Sequence, residues 1–217
     1  MLKIYGFARV NKGAHGNTRD LRVLWAAEEM GLPYEIVGMD HPNQDLDSAS
    51  YRAVNPFGKV PSIKDGAFKL FESGAIVTYL YEKAGRTGSD SQDRALLAQW
   101  CFAAVNTVEP PMAELFNWDI MWRDRDGREK RRAELVQTAA MRLTELDAAL
   151  GHKHFLLGTE FSCADILMVT AIRFAKSAPE IFAGADRVAA YVERCEARPA
   201  FQVALAAQGK GPEAAAA

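Results

Sequence analysis

The chain has 217 residues, of which 49% are apolar and 25% are charged, and its formal net charge at pH 7 is −2. This composition is that of an ordinary globular protein, so we do not expect disorder, and the length allows a sizeable core in one large domain or two small ones. The low net charge provides no field that would attract nucleic acid or an anionic membrane, so we expect a small molecule or a protein as partner.

The three cysteines, Cys101, Cys163 and Cys195, are far apart and show no CxxC or Cys/His spacing. We therefore expect no metal site and no redox pair, and we expect a reducing, cytoplasmic setting. The first residues lack the apolar segment of a signal peptide, and no run of 18 apolar residues occurs, so we also expect neither a secretory signal nor a membrane span.

Residues 1–84 alternate between strand and helix patterns. In chain order the predicted elements are a strand at 2–7, a helix at 18–31, a strand at 34–38, a short helix near 48–53, strands at 60–64 and 68–71, and a helix at 73–83. Asp65-Gly66, between the last two strands, is a strong hairpin signal. This order predicts a small mixed sheet with helices packed on it.

The polar, glycine-containing residues 85–91 suit a linker, and no strand pattern follows them. Five later segments have helical periodicity instead, namely 92–125, 128–150, 163–177, 186–197 and 199–207. Pro110-Pro111 is expected to kink or break the first of them. We therefore predict an N-terminal α/β domain at 1–84, a linker at 85–91 and an all-helical domain at 92–217.

The segment Asn55-Pro-Phe-Gly-Lys-Val-Pro-Ser62 places a proline at the start of a strand. The local sequence favours a trans proline that begins an edge strand, because cis prolines are uncommon. A cis Val60–Pro61 bond would instead turn the N–H and C=O groups of Val60 outward. An extended peptide would then be able to pair with them as an added strand.

Glu72 and Ser73 lie where a helix is predicted to begin. The Ser73 hydroxyl and the first N–H groups of the helix form an anion site, and Glu72 can accept an ammonium group. Together they match the zwitterionic end of an amino acid, such as the γ-glutamyl part of glutathione. Plain helix capping by Ser73 with a solvated Glu72 explains the same residues, and the local sequence leaves both interpretations open.

Thr18 lies near the start of the first predicted helix, in the segment Asn17 to Trp25. A thiol held there would meet the positive end of the helix and a hydroxyl donor, and both lower a thiol pKa that begins near ~8.5. Helix capping by Thr18 is the simpler alternative.

The order of these segments resembles that of the glutathione S-transferase family, in a bacterial-type, serine/threonine-type variant. The segments that carry the resemblance are RVLWAAEEMGLPYE, NPFGKVPSI, FESGAIVTYL and the capping box Ser162-x-x-Asp165. The similarity extends over about residues 2–207. It implies a thioredoxin-like N-terminal domain that binds glutathione, followed by an all-helical domain.

The resemblance also assigns roles to residues. It implies that Val60 and Pro61 pair with the cysteinyl part of glutathione, that Glu72 and Ser73 hold its γ-glutamyl end, and that Thr18 activates its thiol. Lys59 is the first candidate for the glycyl carboxylate, ahead of Arg19 and Gln44. Threonine replaces the more usual serine, and the loop from Phe7 to Asn17 is longer than usual, so Asn17 or even Asn11 is an alternative donor.

The electrophile is expected between the domains, and family members are usually homodimers. Candidate lining residues are Phe7, Asn106, Pro110 and Trp118, although aromatic residues at such spacings more often belong to a core or a subunit interface. The function implied is transfer of glutathione to a small hydrophobic electrophile, as in detoxification, with no permanently bound cofactor. The alternatives are a glutathione-dependent peroxidase, disulfide reductase or isomerase, and a non-catalytic binding module.

Overall fold

The computed structural model describes residues 1–88, 90–122 and 125–210. The described residues form two compact units, one made of residues 1–86 and 198–210, the other of residues 87–197. The prediction assigns residues 199–207 to the helical domain, whereas their contacts make them part of the first unit. The reason is that residues 199–207 pack against the helix at 20–29.

The strands are β1 (Leu2–Phe7), β2 (Tyr34–Met39), β3 (Ser62–Asp65) and β4 (Phe68–Phe71). The α-helices, in chain order, are α1 (Asp20–Glu29), α2 (Ala49–Arg52), α3 (Ser73–Lys83), α4 (Ser91–Phe102), α5 (Glu109–Phe116), α6 (Arg128–Leu150), α7 (Cys163–Arg173), α8 (Asp186–Glu196) and α9 (Pro199–Ala207). The four strands form one sheet in the order β2-β1-β3-β4. β1 runs parallel to β2, and β3 is antiparallel to both β1 and β4, which confirms the predicted mixed sheet.

The core of the first unit lies between this sheet and its helices. Alternate residues of β1 are buried, and seven consecutive residues of α1, from Leu21 to Ala27, are buried with them. Helix α9 covers α1, because Phe201 packs edge-on against Trp25 with ring centroids 4.8 Å apart. At the start of α9, Arg198 donates to both carboxylate oxygens of Glu29. Burying an aromatic side chain of this kind stabilises the unit by about 2–3 kcal/mol.

The regular elements of the second unit are helices, and its described residues add only one isolated β-bridge, between Phe155 and Gly158. Pro110 and Pro111 do not break its first helical stretch; they lie in the first turn of α5, where the fixed φ of proline fits the helix. Helical turns of the wider π type precede and follow α5, at 103–108 and 117–121. These wider turns accommodate the two prolines within one continuous helical stretch.

Helix α7 is the buried centre of the second unit. The predicted capping box is present at its start, because the main-chain N–H and the hydroxyl of Ser162 both donate to Asp165. Asp165 also accepts from the Leu156 N–H and the Tyr191 hydroxyl, at 2.9 Å each. Burial raises the pKa of Asp165 above its usual range, and these hydrogen bonds oppose the rise.

All three cysteines are buried and unbridged. No helix in the described part of the chain is both long enough and apolar enough to cross a membrane.

Candidate functional site

The turn that precedes β3 is held in place from inside the first unit. The Lys59 carbonyl accepts hydrogen bonds from the Tyr51 hydroxyl at 2.6 Å and from the Asn55 side-chain amide at 2.7 Å. Burial raises the pKa of Tyr51 to about 12, so the hydroxyl remains protonated and able to donate. The Asn55 oxygen in turn accepts from the Phe57 N–H. The loop therefore has one defined shape at this point.

The Val60–Pro61 peptide bond that follows is cis. The trans alternative, which the local sequence favours, is therefore not the form adopted. The Val60 side chain packs on a cluster of buried residues that also contacts Phe7. Within the described residues, neither the N–H nor the C=O of Val60 takes part in a hydrogen bond. An unpaired donor and acceptor on one residue beside a sheet offer a pairing edge for an extended peptide.

The start of α3 combines a helix N-terminus with a buried cation. Ser73 is the first residue of α3, and its hydroxyl oxygen accepts from Arg22 Nη1 at 3.1 Å. Both side chains are buried, at 6% and 1% exposure. Because the Ser73 oxygen accepts from Arg22, its hydrogen is available to a ligand. A carboxylate there would meet that hydrogen, the helix N-terminus and the nearby positive charge.

Glu72 precedes Ser73 in an uncommon backbone conformation, with φ 71° and ψ 111°. A non-glycine residue held there costs about 1–3 kcal/mol, and such residues concentrate at ligand-binding positions. Its side chain is exposed. The exposed carboxylate beside the buried Ser73 gives the pair of opposite functions that an amino acid's ammonium and carboxylate groups need.

The start of α1 is organised around the buried carboxylate of Asp20, which is 1% exposed. Oδ1 accepts from the Thr18 hydroxyl at 2.6 Å and from the Gln208 amide at 2.9 Å, while Oδ2 accepts from the Phe7 N–H at 3.0 Å. Gly6 makes this approach possible, because a side chain on Gly6 would place its Cβ 3.0 Å from Oδ2. Thr18 and the start of α1 are thereby fixed against β1.

A cleft of about 420 Å³ opens beside the turn that precedes β3. Its lining includes the side chains of Gln44 and Lys59, and three further polar residues: His41, Asp47 and Arg52. Arg52 donates to Asp47 and to the Pro56 carbonyl, whereas the exposed ammonium group of Lys59 makes no hydrogen bond within the described residues. The cleft suits an anion of small size.

Comparisons with known proteins show the family of the chain. The model of the glutathione S-transferase N-terminal domain matches residues 13–82, and that of the C-terminal domain matches residues 129–194. Glutathione S-transferase 3 from Zea mays is 31% identical over 197 residues, which cover 86% of this chain and 88% of the maize protein. The chain belongs to the glutathione S-transferase family.

Two solved bacterial structures resemble the whole chain. A glutathione transferase family member from Pseudomonas fluorescens, with two glutathione bound, is 25% identical, with a TM-score of 0.82 and coverage of 94% of this chain and 92% of that one. A glutathione transferase from Pseudomonas putida, with one glutathione disulfide bound per subunit, is also 25% identical, with a TM-score of 0.81 and coverage of 94% and 90%. The predicted glutathione S-transferase fold, a thioredoxin-like domain followed by helices, is confirmed.

Within this glutathione S-transferase, the first unit brings several predicted residues into defined places. Lys59 and Gln44 line one cleft, and Glu72 and Ser73 adjoin at α3. Arg19 is the exposed N-cap residue of α1, and its side chain makes no capping hydrogen bond. The roles of these residues toward glutathione stay predictions.

The predicted electrophile-binding residues are spread over both units. Phe7 is half-buried on the cluster that also contacts Val60. Asn106 and Pro110 are exposed, the former in the first π turn and the latter in the first turn of α5. Trp118 is half-buried, with its ring 5.4 Å from that of Trp122. Their part in binding an electrophile also stays a prediction.

Three residues at these sites were not predicted from the sequence. Arg22 looks like one more charged residue of a helix, but helical periodicity places it beside the buried positions, and this was a usable signal. Gln208 lies 188 residues from Asp20 and has no local signature. His41 lies in a polar loop with no periodicity. The described residues contain no group of three or more His, Cys, Asp or Glu side chains arranged to hold a metal ion.

Proposed function

We propose that this protein binds glutathione in its first unit, activates the thiol as thiolate and transfers it to a small hydrophobic electrophile. The observation that carries the proposal is the pair Arg22–Ser73 at the start of α3, preceded by the strained Glu72. A buried cation behind a helix N-terminus is an anion site, and an exposed carboxylate next to it accepts an ammonium group. The α-amino acid end of a peptide presents both an ammonium and a carboxylate group.

The rest of the tripeptide follows from the same proposal. The cysteinyl main chain pairs with the N–H and C=O of Val60, next to the cis bond to Pro61. The glycyl carboxylate meets the ammonium group of Lys59 in the adjoining cleft, with Gln44 beside it. Arg19 remains a weaker alternative, since it lies at the start of α1, outside the residues that line the cleft.

Between the two candidates for thiol activation, the hydrogen bonds favour Asn17. The Thr18 hydroxyl carries one hydrogen, which goes to Asp20, and its oxygen accepts from Gln208 at 2.7 Å. A thiolate needs a donor, and Thr18 has no second hydrogen to give. Asn17 is half-exposed, precedes Thr18 and carries two amide hydrogens. We therefore propose Asn17 as the donor and Thr18 as its structural neighbour.

The chemistry is nucleophilic substitution or addition. The glutathione thiol releases its proton to water, and the thiolate sulfur forms a bond to the electrophilic carbon while a leaving group, such as chloride, departs with its electron pair. The protein contributes by lowering the thiol pKa and by holding both reactants together.

Isothermal titration with glutathione tests the binding site. We expect the parent to bind and Ser73→Ala to bind about tenfold more weakly, because one hydrogen bond to a charged group is lost. Thiolate absorbance of bound glutathione against pH tests the donor: Asn17→Ala is expected to raise the thiol pKa, and Thr18→Val to change it less. Absence of binding by the parent at millimolar glutathione would reject the function.

A glutathione-dependent disulfide reductase or peroxidase is the second candidate, favoured by the P. putida relative that holds glutathione disulfide and the P. fluorescens relative that holds two glutathione molecules. In that reaction a glutathione thiolate attacks a sulfur of the disulfide, and the other sulfur leaves as a thiolate. Turnover of a disulfide or a hydroperoxide at a higher kcat/KM than that of a chloroaromatic identifies this alternative. Isomerase activity, and binding without any turnover, are the remaining outcomes.

We further propose a homodimer, by analogy with the family and from exposed large apolar side chains, among them Phe57 and Phe102. Phe57 is 64% exposed in the first unit, and Phe102 is 63% exposed in the second. A dimer mass in sedimentation analysis of the parent, and a smaller mass for Phe57→Ser, would support it. A cytoplasmic location and a role in detoxification stay predictions; the three unbridged cysteines are in keeping with the former.

A further inference from the structure

The side chain of Gln208, which follows α9, reaches back to the loop that carries the thiol-activating candidates. Its Oε1 accepts from the Gly16 N–H at 2.7 Å, and its Nε2 donates to Thr18 Oγ1 at 2.7 Å and to Asp20 Oδ1 at 2.9 Å. Gln208 is 3% exposed. A buried amide that uses both hydrogens and its oxygen has all its hydrogen-bonding groups paired. It therefore holds Gly16, Thr18 and Asp20 in fixed positions, which a water molecule would not do.

The orientation of this amide is determined by its partners. Turning it over would place its NH₂ group against the Gly16 N–H and its oxygen against the Asp20 carboxylate, and both contacts would be repulsive. Gln208 itself is anchored, because its N–H donates to the Ala204 carbonyl and Phe201 holds α9 against α1. The contacts therefore connect a fixed helix to the loop in one way only.

Gly16 and Thr18 are the two neighbours of Asn17. Gly16 adopts φ 77°, a conformation that favours glycine, and its N–H is thereby presented to Gln208. Since one side chain holds the residues on both sides of Asn17, it restricts the position of Asn17 without contacting a ligand.

We infer that Gln208 is a positioning residue for thiol activation: it holds residues 16 to 20 so that Asn17 donates to the glutathione thiolate. This inference rests on the proposed function. It extends that function to a residue at the far end of the chain, within the same unit as the glutathione site. Hydrogen bonds formed in advance of binding lower the cost of ordering the donor when glutathione arrives.

The test compares Gln208→Ala and Gln208→Glu with the matched control Phe201→Leu. The control weakens the packing of α9 on Trp25 and removes no donor or acceptor from the Gln208 contacts. Gln208→Glu keeps an acceptor for the Gly16 N–H but sets a second carboxylate against Asp20. The readouts are the pKa of bound glutathione from thiolate absorbance, kcat and KM with a chloroaromatic substrate, and amide hydrogen exchange at Gly16.

We expect both Gln208 variants to raise the thiol pKa by about one unit, which lowers the thiolate fraction and kcat about tenfold below that pKa. KM for glutathione is expected to change less than about threefold, because the groups that bind its two ends are intact. Exchange at Gly16 should quicken in Gln208→Ala. Phe201→Leu is expected to lower the melting temperature with no change in the thiol pKa.

The inference is overturned if the Gln208 variants and Phe201→Leu lose stability alike and all keep the parent's thiol pKa and kcat. A parent that binds no glutathione overturns the proposed function itself, and with it any role of Gln208 in activation. That failure is recognised from the parent alone, whereas failure of the inference is recognised from the variants of a parent that binds and turns over.

Discussion

The Ser73 hydroxyl oxygen accepts a hydrogen bond from the Arg22 guanidinium, 3.1 Å away, although the two residues lie on different helices and 51 positions apart. This contact makes the start of α3 an anion site, because it leaves the hydroxyl hydrogen to a ligand and places a positive charge behind it.

Arg22 and Ser73 are therefore expected to act as one unit in glutathione binding. Arg22→Met and Ser73→Ala should each weaken binding about tenfold, and the double variant should lose little more than either single one. Isothermal titration of the four proteins measures the coupling. Arg22→Lys, which keeps the charge, controls for loss of folding, and strictly additive losses would contradict the shared site.

Lys59 is expected to recognise the glycyl carboxylate. Lys59→Ala should weaken glutathione binding about tenfold, since a charge-assisted hydrogen bond is lost. Binding of γ-glutamylcysteine, which has no glycine, should change less than about twofold by the same reasoning. Lys69→Ala is the matched control. Lys69 is also exposed, but it lies in β4 and donates to the Ala53 carbonyl. Equal losses for both ligands in Lys59→Ala would place the glycyl end elsewhere.

Asp165 is expected to be essential for the stability of the second unit. Asp165→Ala would leave the Leu156 N–H, the Ser162 N–H and the Tyr191 hydroxyl without their buried acceptor. The free energy of unfolding should fall by about 3–5 kcal/mol. Asp165→Asn, which retains one acceptor oxygen, should lose less. Urea unfolding gives both values, and a loss for Asp165→Ala below that of Asp165→Asn would refute this assignment.

Asp65 is expected to make stability depend on pH in the acid range. Hydrogen bonds from Lys83, which has the larger effect, and from Tyr79 hold the pKa of Asp65 below its usual value. A carboxylate whose pKa is lowered by folding stabilises the fold above its unfolded pKa, near ~3.9, and that contribution disappears as the pH falls through the folded pKa. Asp65→Asn should therefore reduce the acid dependence of the urea midpoint below about pH 4. An unchanged pH profile would show that the partners contribute nothing.

Local patterns were sufficient for most elements of the fold. Alternation in 2–7 and Asp65-Gly66 in the hairpin predict β1, β3 and β4 to within two residues, because period and turn chemistry are local properties. The predicted helix at 18–31 is shorter, from Asp20 to Glu29. Arg19 is its N-cap residue, and the Thr18 hydroxyl donates to Asp20 instead of capping the helix.

The remaining features depend on contacts that no local pattern encodes. The segment 92–125 reads as one helix, yet π turns interrupt it at 103–108 and 117–121, and a single extra residue per turn leaves little trace in periodicity. The cis bond before Pro61 is favoured by the resemblance and not by local statistics. Gln208 joins Thr18 across 190 positions, so only the folded chain brings them together.

The return of α9 to the first unit bears on how the protein is made. Phe201 helps to bury Trp25, and Gln208 helps to bury Asp20. Both partners are synthesised more than a hundred residues later. A ribosome that has released residues 1–86 has therefore not supplied all that their unit needs, and the glutathione site would mature only once the last helix leaves the exit tunnel. Ordered assembly during translation thus makes the carboxyl-terminal segment the final step in building the amino-terminal one.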